Sequence, residues 1–172
     1  ATMTDPTRIT RRAVVVVAAS LCPVLAQAQP APRPIFVLNS LDATISMIDP
    51  VSFKELRRIA TGKEPHHLYL TPDEKSLIVA NSAGNSLMLL DPVTGEVQRV
   101  VRDVVDPYHL RFSPDMKWFV TAGNRVDHVD LYRWHPQDSQ PFKLVKRIEA
   151  PKTPSHLFID SKSSVVYASL QD

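Results

Sequence analysis

The sequence predicts an all-β fold, a β-propeller of four-stranded antiparallel blades, and three observations predict it. First, one segment recurs: Glu64-Pro65-His66-His67-Leu68, Asp106-Pro107-Tyr108-His109-Leu110 and Thr153-Pro154-Ser155-His156-Leu157 share a Pro-x-His-Leu core. Second, the recurrence keeps one period. His67 to His109 is 42 residues and His109 to His156 is 47, while Leu38, Ala80, Ala122 and Ala168 are spaced by 42, 42 and 46. Third, the local signals inside each period are strand and turn, with no capped stretch of 3.6-residue periodicity. Four strands in about 42 residues, joined by tight polar turns, is the arithmetic of a propeller blade.

Taken in order, the chain begins with an address. Arg11-Arg12 precedes an apolar run through Val14, Val15, Val16 and Val17, and Ala26-Gln27-Ala28 places small residues where a signal peptidase cuts. Residues 1–28 therefore read as a secretory signal peptide and residues 29–34 as a Pro-rich linker. The mature chain is expected to start at Gln29 and to be periplasmic or secreted. Thr10-Arg11-Arg12 has some likeness to a twin-arginine signal, but paired basic residues are common in ordinary leaders, so the Sec route is favoured. Cleavage after Ala28 removes Cys22, the one cysteine, leaving no thiolate ligand and no disulfide. No later stretch is long and apolar enough to be a transmembrane segment.

Charge excludes one class of partner. The chain has 20 Lys plus Arg against 18 Asp plus Glu, and without residues 1–28 there are 17 of each. A neutral body gives no electrostatic footprint for nucleic acid.

Residues 35–172 are the propeller repeats. The stretch 35–60 carries Thr44 to Ile48 closing on Asp49-Pro50, but it lacks an inner strand. One whole blade covers residues 66–102, with the apolar runs Leu77 to Ala80 and Ser86 to Leu90. Flanking them, Thr71-Pro72-Asp73-Glu74-Lys75 and Asp91-Pro92-Val93-Thr94-Gly95 act as hairpin corners, in which proline presets φ and Asp accepts backbone hydrogen bonds. A second whole blade runs from 108 to about 150. Its insertion, His135 to Pro141, accounts for the longer spacing to His156. A third copy starts at 155. Two whole and two partial blades cannot close a ring, so the expectation is an N-terminal fragment of a propeller that continues beyond 172.

The Ser/Thr-Pro-Asp-x-Lys corner, Ala80-Asn81-Ser82 and the Asp-Pro-x-Thr-Gly corner together resemble the YVTN-type β-propeller repeats of exported bacterial proteins. The resemblance covers residues 35–172 and extends to the propellers of haem-d1 nitrite reductases and of sugar lactonases. It implies the fold, and it implies two activities to weigh: lactone hydrolysis, and a haem-associated redox or haem-maturation role. The lactonases carry an Arg-His pair after the proline and a Glu ending the next strand. Here Ser155-His156 and Ala168-Ser169-Leu170-Gln171 stand at those places. No catalytic residue is assigned.

The candidate ligand-binding residues are His67, His109 and His156, which occupy one repeat position at the start of the innermost strand. Imidazoles gathered at one mouth of the channel could bind a small ligand, a transition metal or a haem iron. A residue repeated with its leucine neighbour is equally a blade-building strut, and that role is favoured because no Asp, Glu or Cys accompanies the trio at metal spacing. Strand alternation sends His66 and His67 to opposite faces. Asn39, Asn81 and Asn124 read as turn residues, Arg57 and Arg99 as solvated edge charges, and Trp118, Tyr132 and Trp134 as packing between blades. The expected function is an exported scaffold that binds a small ligand, cofactor or protein partner at one channel mouth.

Overall fold

The computed structural model describes residues 32–171. The expected signal peptide, the cleavage site before Gln29, Cys22 and the first part of the Pro-rich linker lie outside the described residues. Within them the architecture is all-β, in four antiparallel sheets. The first holds β1 (Ile35–Asn39), β2 (Thr44–Ile48) and β3 (Glu55–Ala60). The second is a complete blade of β4 (Pro65–Leu70), β5 (Leu77–Asn81), β6 (Ser86–Leu90) and β7 (Val97–Arg102). The third is another, of β8 (His109–Phe112), β9 (Trp118–Gly123), β10 (His128–Trp134) and β11 (Phe142–Glu149). The fourth pairs β12 (Pro154–Ile159) with β13 (Val166–Leu170). Each sheet follows sequence order, so the two complete blades are simple meanders with β4 and β8 at their inner edges. These are the two whole and two partial blades of an incomplete propeller, and among the described residues the first sheet has no strand equivalent to β4. No helix among the described residues is long and apolar enough to cross a membrane.

The unbroken apolar runs follow from burial on both faces. In β5, Ile78 and Ala80 face the third sheet while Leu77 and Val79 face the first. In β6, Leu87 and Leu89 go with the former, Met88 and Leu90 with the latter. A strand with two buried faces has no polar side to show, so the alternation seen in half-buried strands disappears. The interface between the complete blades also holds Leu110, Phe112, Phe119, Tyr132 and Phe142, with Trp134 packed against it. A third cluster, Val120, Ala122, Val129 and Leu157, joins the third sheet to the fourth. Full burial of each large aliphatic side chain contributes roughly 1.5–3 kcal/mol, which makes these interfaces the main source of stability.

The corners are built as their residues dictate. Asp73 Oδ1 accepts from Thr71 Oγ1 at 2.7 Å and from the Lys75 amide at 3.2 Å, and Asp115 repeats this with Ser113 and Lys117. At the other end, Asp91 Oδ1 accepts from the Val93 and Thr94 amides, as Asp49 does from Val51 and Ser52. These donors hold the carboxyls of Asp49 and Asp91 below the usual range. Gly95 closes its corner at φ +69°, and Phe53, its counterpart one repeat earlier, adopts +56° without that freedom.

Two readings of the polar residues are corrected. Arg57 and Arg99 are not simply solvated. Arg57 Nη2 donates to the Thr94 carbonyl at 2.6 Å, and Arg99 Nη1 donates to the Asp138 carbonyl at 2.8 Å, so each outer strand grips a turn of the next blade. Asn81 is not a turn residue: it ends β5 with 1% exposure, accepting from the Gly62 amide and donating to Ser86 Oγ. A Cβ at Gly62 would lie 2.7 Å from Asn81 Cγ, which is why glycine stands there. Asn39 clamps Thr44 and Ser46 in the same way. Trp118 lies beneath the Arg133 guanidinium, 3.6 Å from ring centroid to Cζ.

Candidate functional site

The innermost strands β4, β8 and β12 lie side by side, and their side chains alternate. Leu68, Leu110 and Leu157 turn back into the three interfaces with the preceding sheet. His67 and Tyr69, and with them His109 and Arg111, project on the opposite side of their strands; Tyr69 packs against the third sheet, and Arg111 Cζ lies 5.5 Å from the Tyr69 ring centroid. There the three predicted histidines meet. The rings of His67 and His109 have centroids 4.5 Å apart at 54°, and those of His109 and His156 are 5.0 Å apart at 50°. His67 is half-buried, His109 is 3% exposed and His156 is exposed. The trio contacts itself from blade to blade, which differs from the expectation of struts bonded within their own blades.

Burial sets the chemistry of this row. Loss of water, with help from Arg111 and the neighbouring imidazoles, pushes His67 down to about 4 and His109 down to about 3. At neutral pH both rings are uncharged, so each carries one N–H donor and one bare nitrogen acceptor. His109 Nδ1 is buried with no hydrogen-bond partner. A buried polar atom left unmade costs about 1–3 kcal/mol, and Thr121 Oγ1 and His128 Nε2 share that condition in the same blade.

His66 departs from the alternation. β4 is irregular between Pro65 and His67, where two residues oppose one on β5, and β12 repeats the irregularity before His156. Such a bulge re-aims a side chain. The His66 ring stacks on Tyr108 at 3.9 Å, and its Nδ1–H donates to the Tyr108 carbonyl at 2.9 Å. His66 and His67 thus both reach toward β8, rather than to opposite faces. Of the neighbouring pair, His66 is the strut.

At the head of the same strands sits a charged knot that repeat reasoning missed. Asp106, 1% exposed, accepts from Arg125 Nη2 at 2.8 Å, the Arg125 amide at 2.6 Å and Ser82 Oγ at 2.9 Å. Arg125 Nη1 also reaches Glu64 at 2.9 Å. Glu64 and Asp106 hold the same repeat position, and with Thr153 all three take left-handed φ of 54°, 42° and 60°. The signal that could have found the knot is a departure from the repeat, since Arg125 stands where the preceding copy has Ala83. A second buried carboxylate, Asp130, is held by Arg147 at 2.8 and 2.7 Å and by Tyr132 Oη at 3.1 Å. Burial of the Tyr132 phenol, and then the charge of Asp130, raise its pKa. That network stays within its own blade.

Among the described residues, no group of three His, Cys, Asp or Glu side chains is placed to hold a metal ion. The three imidazoles form a row, with His109 between the others, and the residues present do not make a metal cage.

The family model described as YNCE-like beta-propeller matches residues 9–172. The chain belongs to that family. This YNCE-like chain is also similar in fold to solved propellers. Hydrazine synthase of Kuenenia stuttgartiensis superposes with a TM-score of 0.63 at 20% identity, covering 81% of this chain and 39% of that one. The periplasmic gluconolactonase PpgL of Pseudomonas aeruginosa gives 0.61 at 21% identity, covering 72% and 38%. Dihydro-heme d1 dehydrogenase NirN gives 0.59 at 16% identity, covering 81% and 30%. The chain therefore spans well under half the length of each of these relatives, and at such identities the likeness is one of fold. A search of curated protein sequences returned no match.

Proposed function

We propose that this YNCE-like propeller is exported to the periplasm and binds a small ligand against the histidine row at one mouth of its central channel. The observation that carries the reading is the contact series His67–His109–His156, with the buried Nδ1 of His109 lacking a partner. Neutral imidazoles on the innermost strands offer donors and acceptors where a propeller leaves its axial opening. Export rests on the basic pair, apolar run and Ala26-Gln27-Ala28 site, with residues 29–34 as linker before the repeats at 35–172. A periplasmic protein is also among the fold's relatives.

The test is native mass spectrometry of the full chain recovered from a periplasmic extract, beside its His109→Gln variant. The reading expects a retained small-molecule mass on the wild type, lost from a variant that melts at the same temperature. A wild type that carries nothing, with a variant that is destabilised, returns the histidines to a structural role. Recovery of the protein only from the cytoplasm with residues 1–28 attached contradicts export.

A further inference from the structure

Among the described residues, Arg111 on the innermost strand β8 is a charged side chain with no ionic or hydrogen-bonding partner, its one ring contact being with Tyr69. Arg111 is two residues beyond His109 on β8 and shares its face. In the copies on either side the same position holds Tyr69 and Phe158, so a guanidinium stands where the repeat places an aromatic ring. Arg111 is half-buried, its Cζ is 5.5 Å from the Tyr69 ring centroid, and among the described residues it makes no salt bridge or hydrogen bond. The carboxylates at the heads of these strands are already taken, Glu64 and Asp106 both by Arg125. The charges that act on the His67 and His109 rings come from Arg111 and from other imidazoles, with no carboxylate among them. One layer above Arg111 lies His109 with its unpartnered, buried Nδ1.

The geometry points to an oxyanion subsite: Arg111 holds a carboxylate or phosphate group of the ligand, and the imidazoles of His67 and His109 bind the adjoining polar atoms. A guanidinium presents a planar fork of donors that matches either oxyanion, and half-burial strengthens the pairing relative to open water. The Tyr69 ring flanks the guanidinium on one side, 5.5 Å from its Cζ. A wall of one sign, without a compensating acid, is complete only when the ligand brings the negative charge. This inference rests on the proposed channel-mouth site and adds the charge of what fills it.

The experiment follows histidine side-chain 15N and arginine Nε NMR signals of the full chain during titration with benzoate, with inorganic phosphate, and with benzamide as the uncharged comparison. Saturable shifts at Arg111, His67 and His109 with an oxyanion, absent with benzamide, are expected. Benzoate and phosphate as separate arms distinguish a carboxylate from a phosphoryl ligand. Arg111→Gln is expected to weaken the binding at least about tenfold, and Arg111→Lys, which keeps charge and bulk but loses the fork, by less. Equal shifts with benzamide, or undiminished oxyanion binding in Arg111→Gln, overturn the inference. If Arg111→Gln does not fold, Arg111→Lys binding as tightly as wild type overturns it instead. Ligand binding lost in His109→Gln but intact in Arg111→Gln refutes the oxyanion subsite alone, whereas no response to any probe and no adduct on the native protein refute the channel-mouth site itself.

Discussion

His66 stacks on Tyr108, the residue one full repeat further along, with ring centroids 3.9 Å apart and a hydrogen bond from its Nδ1–H to the Tyr108 carbonyl. This contact joins the inner strands of two blades just where the irregularity before His67 turns both neighbouring imidazoles toward β8. Removing it separates the structural histidine from the binding candidates. His66→Ala is expected to cost about 1–2 kcal/mol, the sum of one hydrogen bond and one ring stack. Urea denaturation of the full chain measures it. A stability equal to wild type would show that His66 is not a strut.

The Asp106–Arg125 knot should matter more than a surface ion pair. Asp106 is buried, and Arg125→Ala would leave its carboxylate with Ser82 Oγ and the backbone amide of residue 125. We expect a loss of about 2–3 kcal/mol from the buried partner. Glu64→Ala, which touches only the exposed side of Arg125, should cost under about 1 kcal/mol. Similar losses from both substitutions would contradict this division.

Arg99 anchors the inserted corner His135 to Pro141 through the carbonyls of Asp138 and Ser139. Arg99→Ala should leave global stability nearly unchanged while speeding limited proteolysis within 135–141 a few-fold, because local opening then costs less. Unaltered cleavage would mean that the corner is held by its own turns.

The depressed histidines predict an acid-sensitive fold. His67 and His109 titrate at about 4 and about 3 when folded, against an unfolded value of 6.5. Between these values the unfolded chain binds more protons, so stability is complete above pH 6.5 and falls as pH drops toward 4 and 3. The carboxyls of Asp49, Asp91, Asp115 and Asp160 are held below 3.8 and add their own losses only in the acid end of that range. Denaturation midpoints from pH 7 to 4.5 should therefore decline in wild type and flatten in a His67→Gln, His109→Gln variant. A flat wild-type profile would place both rings in water.

The blades were legible because a propeller writes its fold as a period. Spacing alone identifies the inner strand and the two hairpin corners, since each must recur for the blades to stack. What escaped was local geometry and departures from the repeat. The irregularity that re-aims His66 leaves the residue spacing of the inner strand untouched, so alternation misassigned its face. The reach of Arg57 and Arg99 to the next blade depends on how blades are rotated about the axis, which no single repeat encodes. Arg111 and Arg125 each occur once, where the neighbouring copies carry Tyr69, Phe158 or Ala83. In a repeated scaffold the shared positions build the blade, and a charge present in a single copy is the sign of something specific.

The central claim is that His67, His109 and His156 form one wall of touching imidazoles, dry at its centre. The most direct measurement is a pH titration of histidine side-chain 15N signals in the full chain. The account predicts that His67 and His109 remain neutral to below pH 5, with through-space contacts linking His109 to both neighbours. Rings that each protonate near pH 6.5, with no contact between blades, would contradict it.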